Sequence, residues 1–269
     1  MRTNRGARIG LVAATIATLA FIYLPIVVIV LYAFNADPLQ RWPITGYTIE
    51  WIGRAWADQG VRAAFFASVR AAIGATAVAL VLGTLISFAV HRHRFFGREA
   101  LSFIVILPIA LPGIVTGLAL NIAFRTIGID LGLLTVIVGH ATFCVVVIFN
   151  NVIARLRRIS PTIQEASMDL GADTWQTFRH ITFPTIRTAL MAGGLLAFAL
   201  SFDEIIVTTF TAGSDIQTLP IWIFANYQRP NNVPLVNVAA VVVLLLSIVP
   251  VYVASRLSGD HVAVAGSRS

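Results

Sequence analysis

The chain contains no lysine and a single cysteine, and charged residues make up only 12% of its 269 positions. Each scarcity excludes something. Without lysine the pattern Gly-x-x-x-x-Gly-Lys-Ser/Thr cannot be written, so the chain does not bind ATP in the P-loop manner. One cysteine, Cys144, rules out an internal disulfide and a cysteine metal site. No nucleophile triad, Gly-rich phosphate loop or metal-ligand cluster is legible, which predicts a non-enzyme without cofactor or metal. A soluble domain carries roughly 25% charge. Half that value, with 58% hydrophobic residues and a mean hydropathy of +0.85, points to a polytopic membrane protein whose partner is the lipid bilayer.

What charge there is leans basic, with a formal net charge of +7. The basic residues, all arginine, are spread over short loops and form no single patch, so nucleic acid is not expected as a partner. The apolar run from Ile9 to about Phe34 follows Arg2, Arg5 and Arg8. It exceeds the roughly 7–15 residues of a signal-peptide core and reads as a retained first span.

A helix needs roughly 20 apolar residues to cross about 30 Å of hydrocarbon. Six stretches qualify: Ile9–Phe34, Phe66–Val90, Leu101–Phe124, Leu133–Ala154, Ile186–Phe210 and Val236–Leu257. The expected fold class is an all-α membrane protein of six transmembrane helices. It is read as one transmembrane domain over 1–269, with its core at 64–257. In an alternating layout Arg41, Arg54, Arg62, Arg70, Arg125 and Arg229 lie on one side, and the other 13 of the 19 arginines lie on the opposite side. By the positive-inside rule the richer side is cytoplasmic, which places both termini inside. The loop 155–185 is then cytoplasmic as well. Neither an internal repeat nor an inverted repeat is visible.

That loop carries the most specific pattern of the chain. Glu165-Ala166-Ser167, Gly171, Ile181 and Phe183-Pro184 read E-A-S-x3-G-x9-I-x-F-P. Ser160-Pro161 predicts a helix start, with Ser as cap and Pro at the first position. Ile163, Ala166, Ser167 and Leu170 fall on one narrow face with small residues at its centre. Gly171 predicts a left-handed C-cap. Asp173 and Gln176 predict a capping box that opens a second short helix, and Pro184 predicts its end before the fifth span. The expectation is two short helices with a sharp bend.

The spacing resembles the EAA loop of bacterial ABC-importer permeases, whose usual form is EAA-x3-G-x9-I-x-LP. Ser167 departs from the second alanine and Phe183 from leucine. Two further stretches extend the resemblance. Leu107-Pro108, Leu111-Pro112-Gly113 and Gly117 are similar to the LP…LPG…G pattern of these permeases. Ser201-Phe202-Asp203-Glu204-Ile205-Ile206-Val207-Thr208-Thr209-Phe210, with Gly213 and Thr218-Leu219-Pro220, resembles the spermidine/putrescine branch, and within it the second permease subunit. The resemblance implies a type I ABC-importer permease fold in a bacterial inner membrane. It also implies a heterodimer with a second permease subunit, two ATP-binding cassette subunits that bind the ATP, and a periplasmic or extracellular solute-binding protein. Glu165, Ala166, Ser167, Gly171, Ile181 and Pro184 would dock the ATPase. The cargo would be polyamines or related organic cations. The same machine for an opine, γ-aminobutyrate or an inorganic anion is the alternative, with a stand-alone secondary transporter behind it.

Asp203 and Glu204 can also be weighed without the family. Asp203 falls about 25 Å beyond Ile186 at 1.5 Å per residue, near the far end of the fifth span. Intramembrane carboxylates face a polar cavity or a partner. Either at least one of the pair lines a cation pathway, or Asp203 pairs with Arg70, or both sit at the interface. Asn121, His140, Asn150 and Asn151 read as helix–helix hydrogen-bonding groups rather than ligands. Pro108 and Pro112 either bend the third span or are tolerated kinks.

Overall fold

The computed structural model describes residues 5–93 and 95–259. Arg2, Arg94 and Arg268, used above for orientation, lie outside them. The order is α1 (Arg5–Ala33), α2 (Glu50–Ala57), α3 (Gln59–Arg92), α4 (Arg98–Ala110), α5 (Gly113–Thr126) and α6 (Leu133–Leu156). There follow α7 (Pro161–Asp169), α8 (Thr174–Thr177), a π-helical turn (Phe178–Thr182), α9 (Phe183–Asp203), α10 (Ile206–Thr211), α11 (Leu219–Asn226) and α12 (Val233–Gly259). Among the described residues five helices are long and apolar enough to cross a membrane, and α4 with α5 forms a sixth, bent candidate.

Two compact units are present, residues 1–62 with 223–242, and residues 63–222 with 243–269. In the first, the segment after α1 folds on buried Asn35, whose carbonyl accepts from Trp51 Nε1 at 2.8 Å. Arg54 pairs with Glu50 at 2.7 Å and lies over the Trp51 ring. Asn237 of α12 donates to Gln40 Oε1 at 3.2 Å.

The second unit is built around α6. Val136, His140, Cys144, Ile148, Val152 and Leu156 recur every fourth residue along it and are all buried. Small residues bring the neighbours close. Ala71, Ala75, Ala79 and Gly83 make one stripe of α3, and a Cβ at Gly83 would stand 2.8 Å from Ile148 Cβ. Close backbone approach at such stripes is how helices gain contact where no hydrophobic force separates them from lipid. Cys144, Ile148, Ile186 and Ala197 then share one core between α6 and α9.

Of the two readings of Pro108 and Pro112, the bend holds, and two expectations of the fifth span are corrected. In the third span α4 and α5 meet at 106°. The break falls at Leu111-Pro112, where Leu111 is extended (φ −81°, ψ 146°), because a residue before proline is pushed out of the helical region. Pro108 sits inside α4 without breaking it. The fifth span does not run to Phe210: α9 ends at Asp203, Glu204 is extended, and α10 restarts at Ile206. Its start is also earlier. Helix continues from Thr174 to Asp203, 30 residues, so Pro184 stops nothing. The π turn absorbs the proline: Phe183 N–H bonds Phe178 O, five residues back, and the register passes Pro184 without needing its missing N–H. At about 45 Å this helix exceeds the hydrocarbon thickness.

Candidate functional site

The loop 155–185 is where the sequence pattern and the geometry coincide most closely. α7 starts at Pro161 with Ser160 as N-cap in extended backbone. The Ser160 side chain makes no cap bond and contacts Thr162 Oγ1 at 3.2 Å instead, a correction to the expected cap. The other end forms as expected. Gly171 has φ +90°, its N–H bonds Met168 O at 2.9 Å, and Ala172 N–H bonds Ser167 O at 3.1 Å. These two bonds are the Schellman closure, which satisfies the free carbonyls of the last turn. A Cβ on Gly171 would meet nothing within 4 Å, so the backbone angle and not space requires glycine here.

The chain then turns into α8. Asp173 Oδ1 accepts from Gln176 N–H at 2.7 Å, and Gln176 Oε1 accepts from Asp173 N–H at 2.9 Å, a complete capping box. α8 is the first turn of the long helix and not a separate element. α7 is held against it by two hydroxyl contacts, Ser167 Oγ to Thr177 Oγ1 at 3.1 Å and Gln164 Nε2 to Thr182 Oγ1 at 3.5 Å. Ser167, the departure from the usual alanine, is thus one of the two residues that tie the arms together.

The face read from the sequence is present as a surface. Ile163, Ala166, Ser167, Leu170 and Ile181, with Thr162 and Ala172, line an open depression of about 500 Å³. Leu170 is 90% exposed and Ile163 53%, so this apolar face is uncovered in the single chain. Glu165 is exposed, one position away from the depression. Pro184 is exposed at the start of α9 and does not line it.

The acidic pair lies at the α9–α10 break. Glu204 Oε1 accepts from Val207 N–H at 2.8 Å, so this carboxylate caps the restarted helix. Asp203 ends α9 and is exposed, and its carboxylate makes no hydrogen bond or ion pair with another described residue. Of the three readings of the pair, the Asp203–Arg70 ion pair is not formed; Arg70 Nε donates to Phe66 O at 3.2 Å.

The reading of His140 as a helix–helix hydrogen-bonding group holds; the sequence did not show that it fixes this break. Buried His140 bonds Ser201 Oγ through Nδ1 and Thr208 Oγ1 through Nε2, both at 2.7 Å. Ser201 precedes the gap and Thr208 follows it, so one imidazole holds both ends. α10 in turn lies on α5 at the glycines of the L-P-G-x-x-x-G pattern. Gly113 faces Ile206, Gly117 faces Phe210, and Asn121 one turn further donates to Phe210 O. Gly213, at φ +68°, then turns the chain where a Cβ would stand 2.6 Å from Leu131 O. The signal was available in part: the i, i+4, i+8 spacing of Gly113, Gly117 and Asn121 marks one face of a helix.

The comparisons agree with this geometry. Residues 79–260 match the family model described as binding-protein-dependent transport system inner membrane component. The putrescine transport system permease protein PotI of Escherichia coli (strain K12) is 34% identical over 232 residues, covering 83% of this chain and 82% of that protein. The spermidine/putrescine transport system permease protein PotC of Haemophilus influenzae is 31% identical over 231 residues, covering 85% and 88%. In fold, the chain matches a crystal structure of a bacterial ABC transporter involved in alginate import, with a TM-score of 0.67 at 16% identity over 100% of both chains. The chain is a multi-pass membrane protein and belongs to the family of binding-protein-dependent transport system inner membrane components.

Proposed function

We propose that this chain is one of two permease subunits of an ATP-driven importer for polyamines or closely related organic cations, placed in a bacterial inner membrane. Six spans cross the bilayer, α4 with α5 counting as one, and both termini and the α7–α8 loop lie in the cytoplasm. The 13-to-6 arginine asymmetry supports that orientation. The uncovered face of Ile163, Ala166, Leu170 and Ile181 receives one of two ATP-binding cassette subunits, with Glu165 on its edge. The stiff connection from α8 through the π turn into α9 carries movement of that cassette along about 45 Å of helix. Asp203 stands at the far end of the same helix. A solute-binding protein delivers the cargo on the opposite face of the membrane.

The observation that carries the cargo assignment is the identity to the putrescine and spermidine/putrescine permeases over most of the chain. Asp203 supplies the chemistry. An intramembrane carboxylate is costly unless solvated or paired. A passing ammonium group offsets that cost through charge-assisted hydrogen bonds. Glu204 is occupied as the cap of α10, so the pathway role falls to Asp203. The test is putrescine uptake by the assembled transporter carrying Asp203→Asn. Uptake falls while assembly and basal ATP hydrolysis persist. Unchanged uptake kinetics would remove the pathway role.

A further inference from the structure

A groove between α3 and α9 leads from an apolar trough into a basic mouth. The trough, about 750 Å³, is lined by Thr76, Leu80, Val81, Met191, Gly194 and Phe198 among others. Thr84 and Leu85 line both the trough and a second cavity of about 710 Å³, so the two are continuous. Phe88, Trp175 and Phe178 wall this second cavity, and His91, Arg92 and His93 stand at its end. Arg98 and Arg157 are near enough to His91 for their charges to act on it. No carboxylate lines either cavity among the described residues. Thr84 Oγ1, at the junction, is buried without a hydrogen-bond partner.

We propose that this groove holds one anionic glycerophospholipid of the surrounding bilayer. An acyl chain lies in the trough, the phosphate meets Arg92 and its flanking histidines, and the Thr84 hydroxyl donates to an ester carbonyl at the junction. The dimensions agree. Thr76 to Arg92 spans about 24 Å of helix, and one leaflet with its headgroup layer is about 20–22 Å thick. The charge decides against the cargo, because the Arg92 guanidinium at the mouth, with Arg98 and Arg157 nearby, repels a polyamine and no carboxylate of the lining attracts one. The trough decides against a soluble anion, which would leave that wall empty within the membrane-spanning part of α3 and α9. Basic pockets between transmembrane helices are a recognised setting for acidic headgroups. Gln164 and Met168 of α7 also line the mouth, so the headgroup sits between the end of α3 and the candidate coupling loop. The bound lipid therefore braces the loop against the span.

Trp175 reports the site. The assembled transporter is placed in nanodiscs of phosphatidylcholine containing a minor fraction of brominated phosphatidylglycerol or of brominated phosphatidylcholine. The difference in emission between the parent chain and Trp175→Phe isolates this indole. Brominated phosphatidylglycerol is expected to quench it at about fivefold lower mole fraction than brominated phosphatidylcholine, the preference a basic side chain gives an anionic lipid. Replacing His91, Arg92 and His93 together by Gln abolishes the preference. Gly194→Leu fills the trough and weakens quenching by both lipids; a Cβ there meets Leu80 at 3.6 Å, ordinary contact, and unchanged membrane abundance of the variant confirms its fold. Equal quenching by the two lipids in the parent chain overturns the proposal. So does an unchanged preference after the triple replacement. Absence of quenching by either lipid means that protein covers the groove, and it overturns the proposal as well.

Discussion

A Cβ on Gly117 would stand 2.8 Å from Cδ2 of Phe210, a distance real Cβ atoms do not adopt. The glycine of α5 is thus the seat of the aromatic that ends the acidic stretch in α10. Gly117→Leu is expected to abolish accumulation of the protein in the membrane, and Gly117→Ala to lower its thermal stability by about 1–3 kcal/mol, the usual cost of overpacking. The paired Phe210→Leu restores part of the loss in Gly117→Ala. Quantified membrane abundance and thermal unfolding of the purified complex check this, and a double variant no more stable than Gly117→Ala contradicts it.

His140 is expected to matter more than a buried histidine that only fills space. Its two 2.7 Å bonds join α9 to α10 across the gap. Interhelical hydrogen bonds in membranes are worth about 0.6–2 kcal/mol. His140→Phe keeps most of the volume and loses both bonds. The complex should then melt at lower temperature and transport more slowly, measured by thermal unfolding and by uptake. His140→Phe with parental stability would show that the break is held by other contacts.

The loop gives a graded prediction at Gly171. Its φ of +90° penalises any side chain, but asparagine tolerates left-handed backbone better than a β-branched residue. Uptake and co-purification of the ATPase subunit should fall in the order Gly, Asn, Ala, Val at this position. The open space around Gly171 means that volume has no part in the order. Val equal to Gly in both measurements would remove the C-cap from the coupling account.

Ser167→Ala is expected to be mild. It removes the 3.1 Å contact to Thr177, a half-buried bond worth about 1 kcal/mol. Membrane abundance and uptake should stay close to the parent, with a small fall in thermal stability. A transport defect from Ser167→Ala would indicate that the hydroxyl, and not only the shape of the α7 face, acts in coupling.

The readable parts of this fold were those set by neighbours in sequence. The Gly171 turn, the Asp173–Gln176 box and the Ile163–Leu170 face follow from residues within one or two turns of each other. The misread parts were set at a distance or by compensation. Nothing in Phe202–Phe210 is a helix breaker by composition. The gap after Asp203 is held by His140, far away in sequence, and by the Glu204 carboxylate capping Val207. Pro184 reads as a stop by the local rule, yet the π turn at Phe178–Thr182 carries the helix past it. Pro112 and Pro108 look alike in sequence, yet only Pro112 breaks the helix, where Gly113 follows it as a weak helix former.

One uptake measurement separates an ATP-driven polyamine importer from its rivals. The chain is reconstituted in proteoliposomes with the proposed partners, a second permease subunit, two cassette subunits and a solute-binding protein, and labelled putrescine is followed. Accumulation is expected only with ATP and only with every component present, and none by this chain alone under a proton or sodium gradient. Gradient-driven uptake by the chain alone, or an assembly that hydrolyses ATP and leaves putrescine outside, would contradict the importer reading.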